Sequence, residues 1–302
     1  MVAALKLAVT GATGFVGAHL LDLALEEGHA VQALTRRRQP PRKGVSWIEG
    51  ALDDPAALAR LVETADAVIH VAGVINADAA GFEAGNVAGT AAMIAATERT
   101  GIKRFVHVSS LAAREPALSL YGASKARSEA LVRASRLPTA IVRPPAVYGP
   151  GDRETLELFK MANSGLVILP PAGRLSLIHV DDLARLLLGL ATSDEPLLLE
   201  PDDGRPGGWT HEEFGQALGR AVGRKVRTLS APSALLRLAA RADTLVRGRN
   251  AKLTPDRAAY FCHPDWTASP AHAAPTKLWQ PHIATEQGLA ATASWYREQQ
   301  WL

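Results

Sequence analysis

The sequence predicts an α/β fold, in which a doubly wound parallel sheet is followed by a smaller C-terminal α/β lobe. Three observations predict it: apolar strand candidates alternate with helical stretches, the first strand runs into a glycine-rich turn, and prolines and glycines become frequent near residue 150. Such alternation implies right-handed crossovers between parallel strands. The predicted strands lie at residues 5–10, 30–35, 45–49, 67–72, 105–109 and 140–143.

The glycine-rich turn after the first strand predicts a dinucleotide site. Gly11 permits a tight turn, Gly14 lets a pyrophosphate approach the backbone, and Gly17 lets the next helix pack closely on the strand. That helix, expected at residues 15–27, aims unpaired backbone N–H groups at the turn, where anions bind. Since it stops at Gly28, the glycines have the strand-to-helix context of a Rossmann-type site. A glycine turn without a ligand is the alternative.

Helices of ordinary length are expected between the later strands and in the C-terminal part. They lie at residues 55–64, 86–100 and 121–135, from a capping box of Thr210 and Glu213 to Arg220, and at 232–246. We expect residues 1–150 to form a dinucleotide-binding domain, onto which residues 176–200 pack back. Residues 151–302 are expected to form a substrate-binding lobe.

The composition argues against several classes of protein. The 302 residues are 47% apolar, enough for a large core, and 33 basic against 30 acidic residues give no nucleic-acid signature. Cys262 is the single cysteine, which excludes an internal disulfide framework and fits a reducing cytoplasm. The start of the chain does not resemble a signal peptide, and the apolar stretches are shorter than the roughly 20 residues of a membrane helix. We expect a cytoplasmic protein without nucleic-acid partners or integral membrane contact.

The predicted helix at residues 232–246 lies in the most basic segment, residues 224–257, and is amphipathic. Because the segment has no aromatic residues interleaved with its charges, nucleic-acid binding is disfavoured. A helix of this kind can meet an acidic partner or a membrane surface, but a solvated face is the favoured interpretation. Helical spacing places Leu235, Leu238, Ala242, Leu245 and Val246 on one face and Arg237 and Arg241 on another.

The nine histidines are not spaced as metal ligands, and no carboxylate or cysteine cluster joins them, so no metal site is predicted. His70 and His107 lie inside predicted apolar strands, which favours a packing role. His179 precedes Asp181 and Asp182, and we interpret this acidic pair as a helix cap.

Tyr121 and Lys125 supply the chemistry that a nicotinamide enzyme acting on an alcohol or carbonyl needs. At a spacing of four residues they share a helix face, so the ammonium group is expected to lower the pKa of the phenol towards working pH. Ser110 follows the strand at residues 105–109, at the sheet edge where ligands bind, and can hold the substrate oxygen. A surface Tyr–Lys pair and a helix-capping serine are the alternative.

The end of the second strand indicates which dinucleotide binds. In NAD-preferring folds an acidic residue there bonds the ribose 2′-hydroxyl. This chain instead reads Leu34-Thr35-Arg36-Arg37-Arg38, and a guanidinium group suits a 2′-phosphate. We therefore predict NADP rather than NAD, with Arg36 as the first contact and Arg37 as the second. A solvated basic loop is the alternative.

With these motifs in place, the sequence resembles the extended short-chain dehydrogenase/reductase family, the NAD(P)-dependent epimerase/dehydratase group. The likeness follows family order to about residue 190 and is looser beyond, although residues 289–302 still resemble the family's closing helix. The matching motifs are TGATGFVG (10–17), ADAVIHVAG (65–73), NVAGT (86–90), FVHVSS (105–110), YGASK (121–125), RPPAVYGP (143–150) and IHVDD (178–182).

The resemblance implies roles for individual residues. Ser110, Tyr121 and Lys125 would be the catalytic trio, Lys125 would also bond the nicotinamide ribose, and Asn86 would support the active-site water. It further allows a homodimer through two helices of the nucleotide-binding part, which no residue independently indicates. The implied cofactor contacts are Gly11, Thr13, Gly14, Phe15, Val16, Arg36, Arg37, Leu52, Asp53, Ala72, Gly73, Lys125 and Pro144.

Two departures bear on the small-molecule substrate. Ser110 and Tyr121 are eleven residues apart, whereas many sugar-nucleotide epimerases of the family carry a longer loop there. Residues 255–266, with Trp279 beyond them, resemble members that act on hydroxysteroid-like or other hydrophobic alcohols more than the sugar enzymes. The leading hypothesis is hydride transfer between NADP and a secondary alcohol or ketone. A nucleotide-sugar epimerase or dehydratase that retains its cofactor, and a non-catalytic nucleotide-binding subunit, are the alternatives.

Overall fold

The computed structural model describes residues 4–193, 197–248, 251 and 253–302. Its strands are β1 (Lys6–Thr10), β2 (Ala30–Thr35), β3 (Val45–Glu49), β4 (Ala67–His70), β5 (Phe105–Val108), β6 (Thr139–Val142), β7 (Ala146–Tyr148), β8 (Leu166–Leu169), β9 (Arg174–Leu175), β10 (Leu177–His179), β11 (Leu197–Leu199), β12 (Trp209–Thr210), β13 (Arg227–Ser230) and β14 (Asp265–Trp266).

The α-helices are α1 (Phe15–Glu26), α2 (Pro55–Val62), α3 (Ala79–Phe82), α4 (Gly89–Glu98), α5 (Leu120–Ala134), α6 (Leu156–Ser164), α7 (Val180–Leu190), α8 (His211–Val222), α9 (Ser233–Arg247), α10 (Pro255–Phe261) and α11 (Thr285–Glu298). A π-helix covers Glu83–Ala88, and 3-10 turns cover Leu111–Arg114 and Pro270–His272. No described helix is both long and apolar enough to cross a bilayer.

The central sheet confirms the predicted α/β fold. Within the described residues it has seven parallel strands in the order β11-β6-β5-β4-β1-β2-β3. The order reverses at β1, so the carboxyl ends of β1 and β4 flank the crevice where this class of sheet binds ligands. The strands β4 and β5 end at His70 and Val108, one or two residues earlier than predicted, because the chain leaves the sheet towards this crevice.

Helices cover both faces of the sheet. One buried apolar cluster joins the sheet to α1 and α7 through Leu20 and Leu183, and another joins it to α2 and α4 through Leu58 and Met93. Burial on both faces explains why the strands are almost continuously apolar in the sequence. The core therefore fixes the strand ends from which the candidate site is built.

The C-terminal part surrounds the carboxyl edge of the sheet with short elements. Three small sheets pair β10 with β7, β12 and β14 with β9, and β13 with β8. They enclose a second core that includes Tyr148, Phe159, Phe214 and Tyr296. The strand β11 joins the central sheet beside β6, and α7 packs on α1. A domain boundary at residue 150 stays a prediction.

The helix predicted at residues 86–100 differs from the structure in its start. The helical segment begins at Ala79, after Asp78 accepts a hydrogen bond from the Gly81 backbone N–H at 2.9 Å, and passes through the π-helix into α4. Gly81 and Gly85 lower the helix propensity of this stretch, which is why the sequence pattern did not predict it. The wide π turn contains Asn86, and such turns are frequent at functional sites.

Candidate active site

The glycine turn after β1 forms the cradle predicted for a dinucleotide. Gly11 has a φ of +75°, and a Cβ there would lie 2.8 Å from the backbone nitrogen of Ala72. A Cβ on Gly17 would lie only 2.0 Å from the Gly11 carbonyl oxygen, so Gly17 packs against the turn itself. Gly14 is the N-cap of α1 and provides no side-chain hydrogen bond to the helix. The first N–H groups of α1 are therefore suited to a pyrophosphate.

The other predicted cofactor contacts lie around this cradle. Thr13 is exposed, Phe15 and Val16 begin α1, and Gly73 is exposed beyond β4.

Leu52 and Asp53 lie in the loop between β3 and α2. The Leu52 side chain packs on the backbone of Gly89, where an added Cβ would lie only 2.6 Å from Leu52 Cδ1. Helix α2 is capped by Asp54, which accepts hydrogen bonds from Ala56 and Ala57 at 3.0 Å. The carboxylate of Asp53 is exposed and takes no part in that cap. Pro144 is buried beyond β6, and its carbonyl oxygen accepts a hydrogen bond from the backbone N–H of Leu111 at 3.2 Å.

Three arginines follow β2. Arg36, Arg37 and Arg38 are exposed, and among the described residues none of their guanidinium groups forms an ion pair. The Thr35 hydroxyl donates a hydrogen bond to the Arg37 carbonyl oxygen at 2.7 Å, which fixes the turn. Positive charge is thus concentrated at the carboxyl end of β2.

Ser110, Tyr121 and Lys125 come together at the carboxyl edge of β5. Ser110 caps the following 3-10 turn and shares a hydrogen bond with the Tyr121 hydroxyl. Tyr121 lies in the first turn of α5, which Ser119 caps. Lys125, one turn later, is buried, and its Nζ atom donates to the Val108 carbonyl oxygen at 3.0 Å.

The pKa of Tyr121 corrects the expectation drawn from the sequence. Burial raises the pKa of this phenol, and the hydrogen bond with Ser110 offsets only part of that rise. The Lys125 ammonium group bonds a carbonyl oxygen instead of the phenol, and burial lowers the pKa of Lys125 to about 8. The spacing in the sequence identified the neighbouring residues correctly, but it could not show that Tyr121 is buried and that burial raises its pKa.

Asn86 holds the loop after β4 against α5. Its Oδ1 atom accepts from the Val74 backbone N–H at 2.8 Å, and its Nδ2 atom donates to the Val74 carbonyl oxygen and to the Ser124 hydroxyl. A Cβ on Gly73 would lie 3.0 Å from Asn86 Oδ1 and 3.1 Å from Lys125 Nζ. The backbone at Gly73 therefore lies close to the buried amine of Lys125, and the uncapped first turn of α1 also lies at this edge of the sheet. This arrangement is suited to binding a dinucleotide.

The sequence did not predict the aromatic wall beside Tyr121 as a contact. Tyr260 stacks on Trp266 with ring centroids 4.6 Å apart. Tyr121 and Tyr260 both pack against the small cluster of Leu111, Ala112 and Trp266. The sequence of residues 255–266 indicated an apolar segment, but it could not show that the fold places this segment beside Tyr121.

His179 and the acidic pair after it have different roles from those predicted. His179, not the aspartates, is the N-cap of α7, and its Nδ1 atom accepts from the Asp181 backbone N–H at 3.2 Å. The His179 ring is buried edge-on against Tyr148, with centroids 5.3 Å apart. Asp182 accepts backbone hydrogen bonds from His282 and Ile283. These contacts hold loops of the C-terminal part together.

Comparison with known proteins identifies the family. The model of the NAD dependent epimerase/dehydratase family matches residues 7–197. The chain belongs to the NAD-dependent epimerase/dehydratase family. This family member is accordingly an NAD(P)-dependent enzyme with oxidoreductase chemistry.

Two of the curated relatives of this family member are reductases. It is 38% identical to a ceramide reductase of Caulobacter vibrioides, over 98% of this chain and 95% of that protein. It is 32% identical to a 2-alkyl-3-oxoalkanoate reductase of Stenotrophomonas maltophilia, over 60% of this chain and 63% of that protein.

Solved structures share the fold of this family member. One described as MoeE5 in complex with UDP-glucose and NAD superposes with a TM-score of 0.76 at 21% identity, covering 98% of this chain and all of that one. At this identity the likeness shows the fold alone.

Proposed function

We propose that this protein is an NADPH-dependent ketoreductase whose substrate is a hydrophobic ketone of the ceramide class. The similarity to a ceramide reductase, which extends over nearly the whole length of both chains, supports the substrate class. The observation that carries the proposal is the environment of Tyr121. Its phenol has a raised pKa, bonds Ser110, and lies beside the apolar Tyr260–Trp266 wall.

A phenol with a raised pKa keeps its proton at neutral pH, which suits donation to a carbonyl oxygen and therefore reduction. Bound NADPH would supply the hydride for the carbonyl carbon. Ser110 holds the substrate oxygen against Tyr121, and the product is a secondary alcohol. Lys125 lies within one helical turn of Tyr121 and provides the positive charge that stabilises the phenolate left after donation.

The direct test is an assay of NADPH oxidation with the ketone that corresponds to the secondary alcohol of ceramide. The Tyr121→Phe variant should lower kcat about 10²- to 10⁴-fold while leaving the Kd for NADPH unchanged, because it removes the proton donor alone. Formation of a new product without net NADPH oxidation would indicate an epimerase instead. Undiminished turnover by the variant would contradict the role of Tyr121.

We also propose that Arg36 makes this enzyme prefer NADPH, with Arg37 as its neighbour in the same turn. Exposed guanidinium groups without ion pairs among the described residues support this assignment, since they are available to a 2′-phosphate.

The cofactor preference is tested by titrating NADPH and NADH. The Arg36→Ser variant should weaken NADPH binding about tenfold or more and leave NADH binding unchanged, as expected for one lost charged hydrogen bond. Arg99→Ser, an exposed exchange at the end of α4, is the matched control. Equal affinity of the unaltered protein for the two nucleotides would overturn the preference.

A further inference from the structure

Helix α9 presents its apolar side to solvent. Its inner side contacts the protein through the buried Ala240 and the half-buried Leu236 and Asp243. The side chains on the opposite side are largely exposed: 56% for Leu235, 63% for Leu238, 87% for Leu245 and 81% for Val246. This orientation is the reverse of an ordinary surface helix, whose apolar stripe faces the core.

The outward surface of α9 is apolar along the whole helix. At 100° per residue, a continuous arc opposite Ala240 contains no polar side chain. The residues of this arc, which we call the apolar face of α9, are Ala234, Leu235, Leu238, Ala239, Ala242, Leu245 and Val246. Fifteen helical residues extend about 22 Å, so the face is a long strip and not an isolated leucine.

Arginines border this face. Arg237 and Arg241 lie along one border of the face, and both are exposed. The acidic residue of the helix, Asp243, is on the inner side, where it pairs with Arg247 and accepts the Leu253 backbone N–H at 2.9 Å. An apolar helix face with basic side chains along its border is typical of helices that lie in the surface of an anionic bilayer.

We propose that the apolar face of α9 docks this protein on the surface of a lipid bilayer containing anionic lipids. The leucines would leave water for the acyl region, and the bordering arginines would be attracted to anionic headgroups. A second copy of this chain is a poorer occupant, because two-fold packing of the face would bring the same arginines against each other.

The docked helix is connected to the candidate active site. Helix α9 packs against α10, and Asp256 of α10 accepts a hydrogen bond at 2.6 Å from the backbone N–H of Leu120, the residue before Tyr121. Tyr260 of the aromatic wall also belongs to α10. The surface placed on the bilayer is thus only one helix away from the site, as a lipid substrate requires. The docking itself does not depend on the proposed reaction.

The test is co-sedimentation of the full chain, without cofactor or substrate, with vesicles of phosphatidylcholine containing about 40% phosphatidylglycerol. The unaltered protein should bind them, and higher salt should weaken binding. Exchanging both Leu238 and Leu245 for Asn should weaken binding about tenfold or more without lowering Tm, because both side chains are exposed in the free protein.

The charge contribution has a matched control. Exchanging Arg237 and Arg241 for Glu should abolish binding to these vesicles, whereas the same change at the exposed Arg99 and Lys103 should preserve it. No binding by the unaltered protein would overturn the proposal. It would also be overturned if light scattering showed a dimer that the leucine exchanges dissociate, since the face would then be a subunit interface.

Discussion

Lys125 is a buried amine whose positive charge serves the proposed reaction but lowers the stability of the folded protein. Its side chain is almost inaccessible, and burial lowers its pKa from 10.5 to about 8. Glu129 raises the pKa of Lys125 but compensates only in part. At neutral pH the folded protein must therefore hold a desolvated ammonium group, which lowers the free energy of unfolding.

Lys125→Met should accordingly stabilise the protein while abolishing activity. A fall in the pKa of Lys125 from 10.5 to about 8 corresponds to about 3 kcal/mol, of which about 2 kcal/mol is expected as a gain in the free energy of unfolding at neutral pH. The unfolded chain binds more protons between pH 8 and 10.5, so Lys125 makes the stability of the unaltered protein rise through that window. Urea unfolding measures both effects, and an equal rise in the variant would contradict this account.

For individual residues, the sequence predicted which side chains lie together better than it predicted their pKa shifts. The spacing of Tyr121 and Lys125 and the position of Ser110 after a strand follow from local periodicity, and the structure brings the three together. The pKa direction of Tyr121 depends on burial by segments such as the one with Tyr260, far along the chain. Local spacing contains no information about that burial.

Strands β4 and β5 carry a buried histidine pair between them. His70 and His107 are register partners, and their rings stack with centroids 5.6 Å apart. His70 bonds the Thr10 and Thr90 hydroxyls, and His107 bonds Ser128. Burial, with Lys125 nearby, lowers the pKa of His70 to about 3 and that of His107 well below 6.5. Both rings are neutral in the folded protein.

The pair should make the protein sensitive to acid. Because the folded pKa values lie below 6.5, the unfolded chain gains protons first, and stability present above pH 6.5 is lost as the pH falls. His107→Leu should reduce this loss by about 1.4 kcal/mol per pH unit below 6.5, because one titrating group is removed. Urea unfolding over a pH series measures it, with the exposed His282→Gln as control. An unchanged pH dependence would be inconsistent with a neutral buried ring.

At the element scale, long elements were predictable and short ones were not. The strands β2 and β3 match their predicted bounds, and the capping box of Thr210 and Glu213 begins α8, which ends at Gly223 as expected. The two-residue strands β9, β12 and β14 are held by pairing with one another. They are too short for a hydrophobic period, so no local pattern could predict them.

Across the whole molecule, a chain of buried charges ties the central sheet to the C-terminal part. Glu129 of α5 accepts two hydrogen bonds from Arg143, each 2.7 Å long. Arg143 also reaches Glu200 at 3.1 Å, and Arg114 reaches the other oxygen of Glu200 at 3.2 Å. These partners are 14, 57 and 86 residues apart. The sequence could not predict the network, because such distances leave no trace in local spacing.

Glu200 should therefore contribute more to the free energy of unfolding than a surface ion pair does. Its carboxylate is fully buried and accepts from Arg143, Arg114 and the Ser269 backbone N–H. Glu200→Ala removes the buried negative charge between two arginines and the acceptor of the Ser269 N–H, and it leaves Arg143 only Glu129 and Arg114 only the Thr267 carbonyl oxygen, so the free energy of unfolding should fall by about 3 kcal/mol.

The comparison that isolates burial is Glu286→Ala, which removes the exposed partner of Arg220 on the surface. Water and salt screen that pair, so its loss should cost less than about 1 kcal/mol. Thermal and urea unfolding of the two variants test this difference. If both variants lost the same free energy of unfolding, the buried network would not be what holds the central sheet and the C-terminal part together. A loss in Glu200→Ala that Glu200→Gln partly restores would instead identify the hydrogen bonds, beyond the charge alone, as the stabilising contribution, since an amide oxygen still accepts from one arginine.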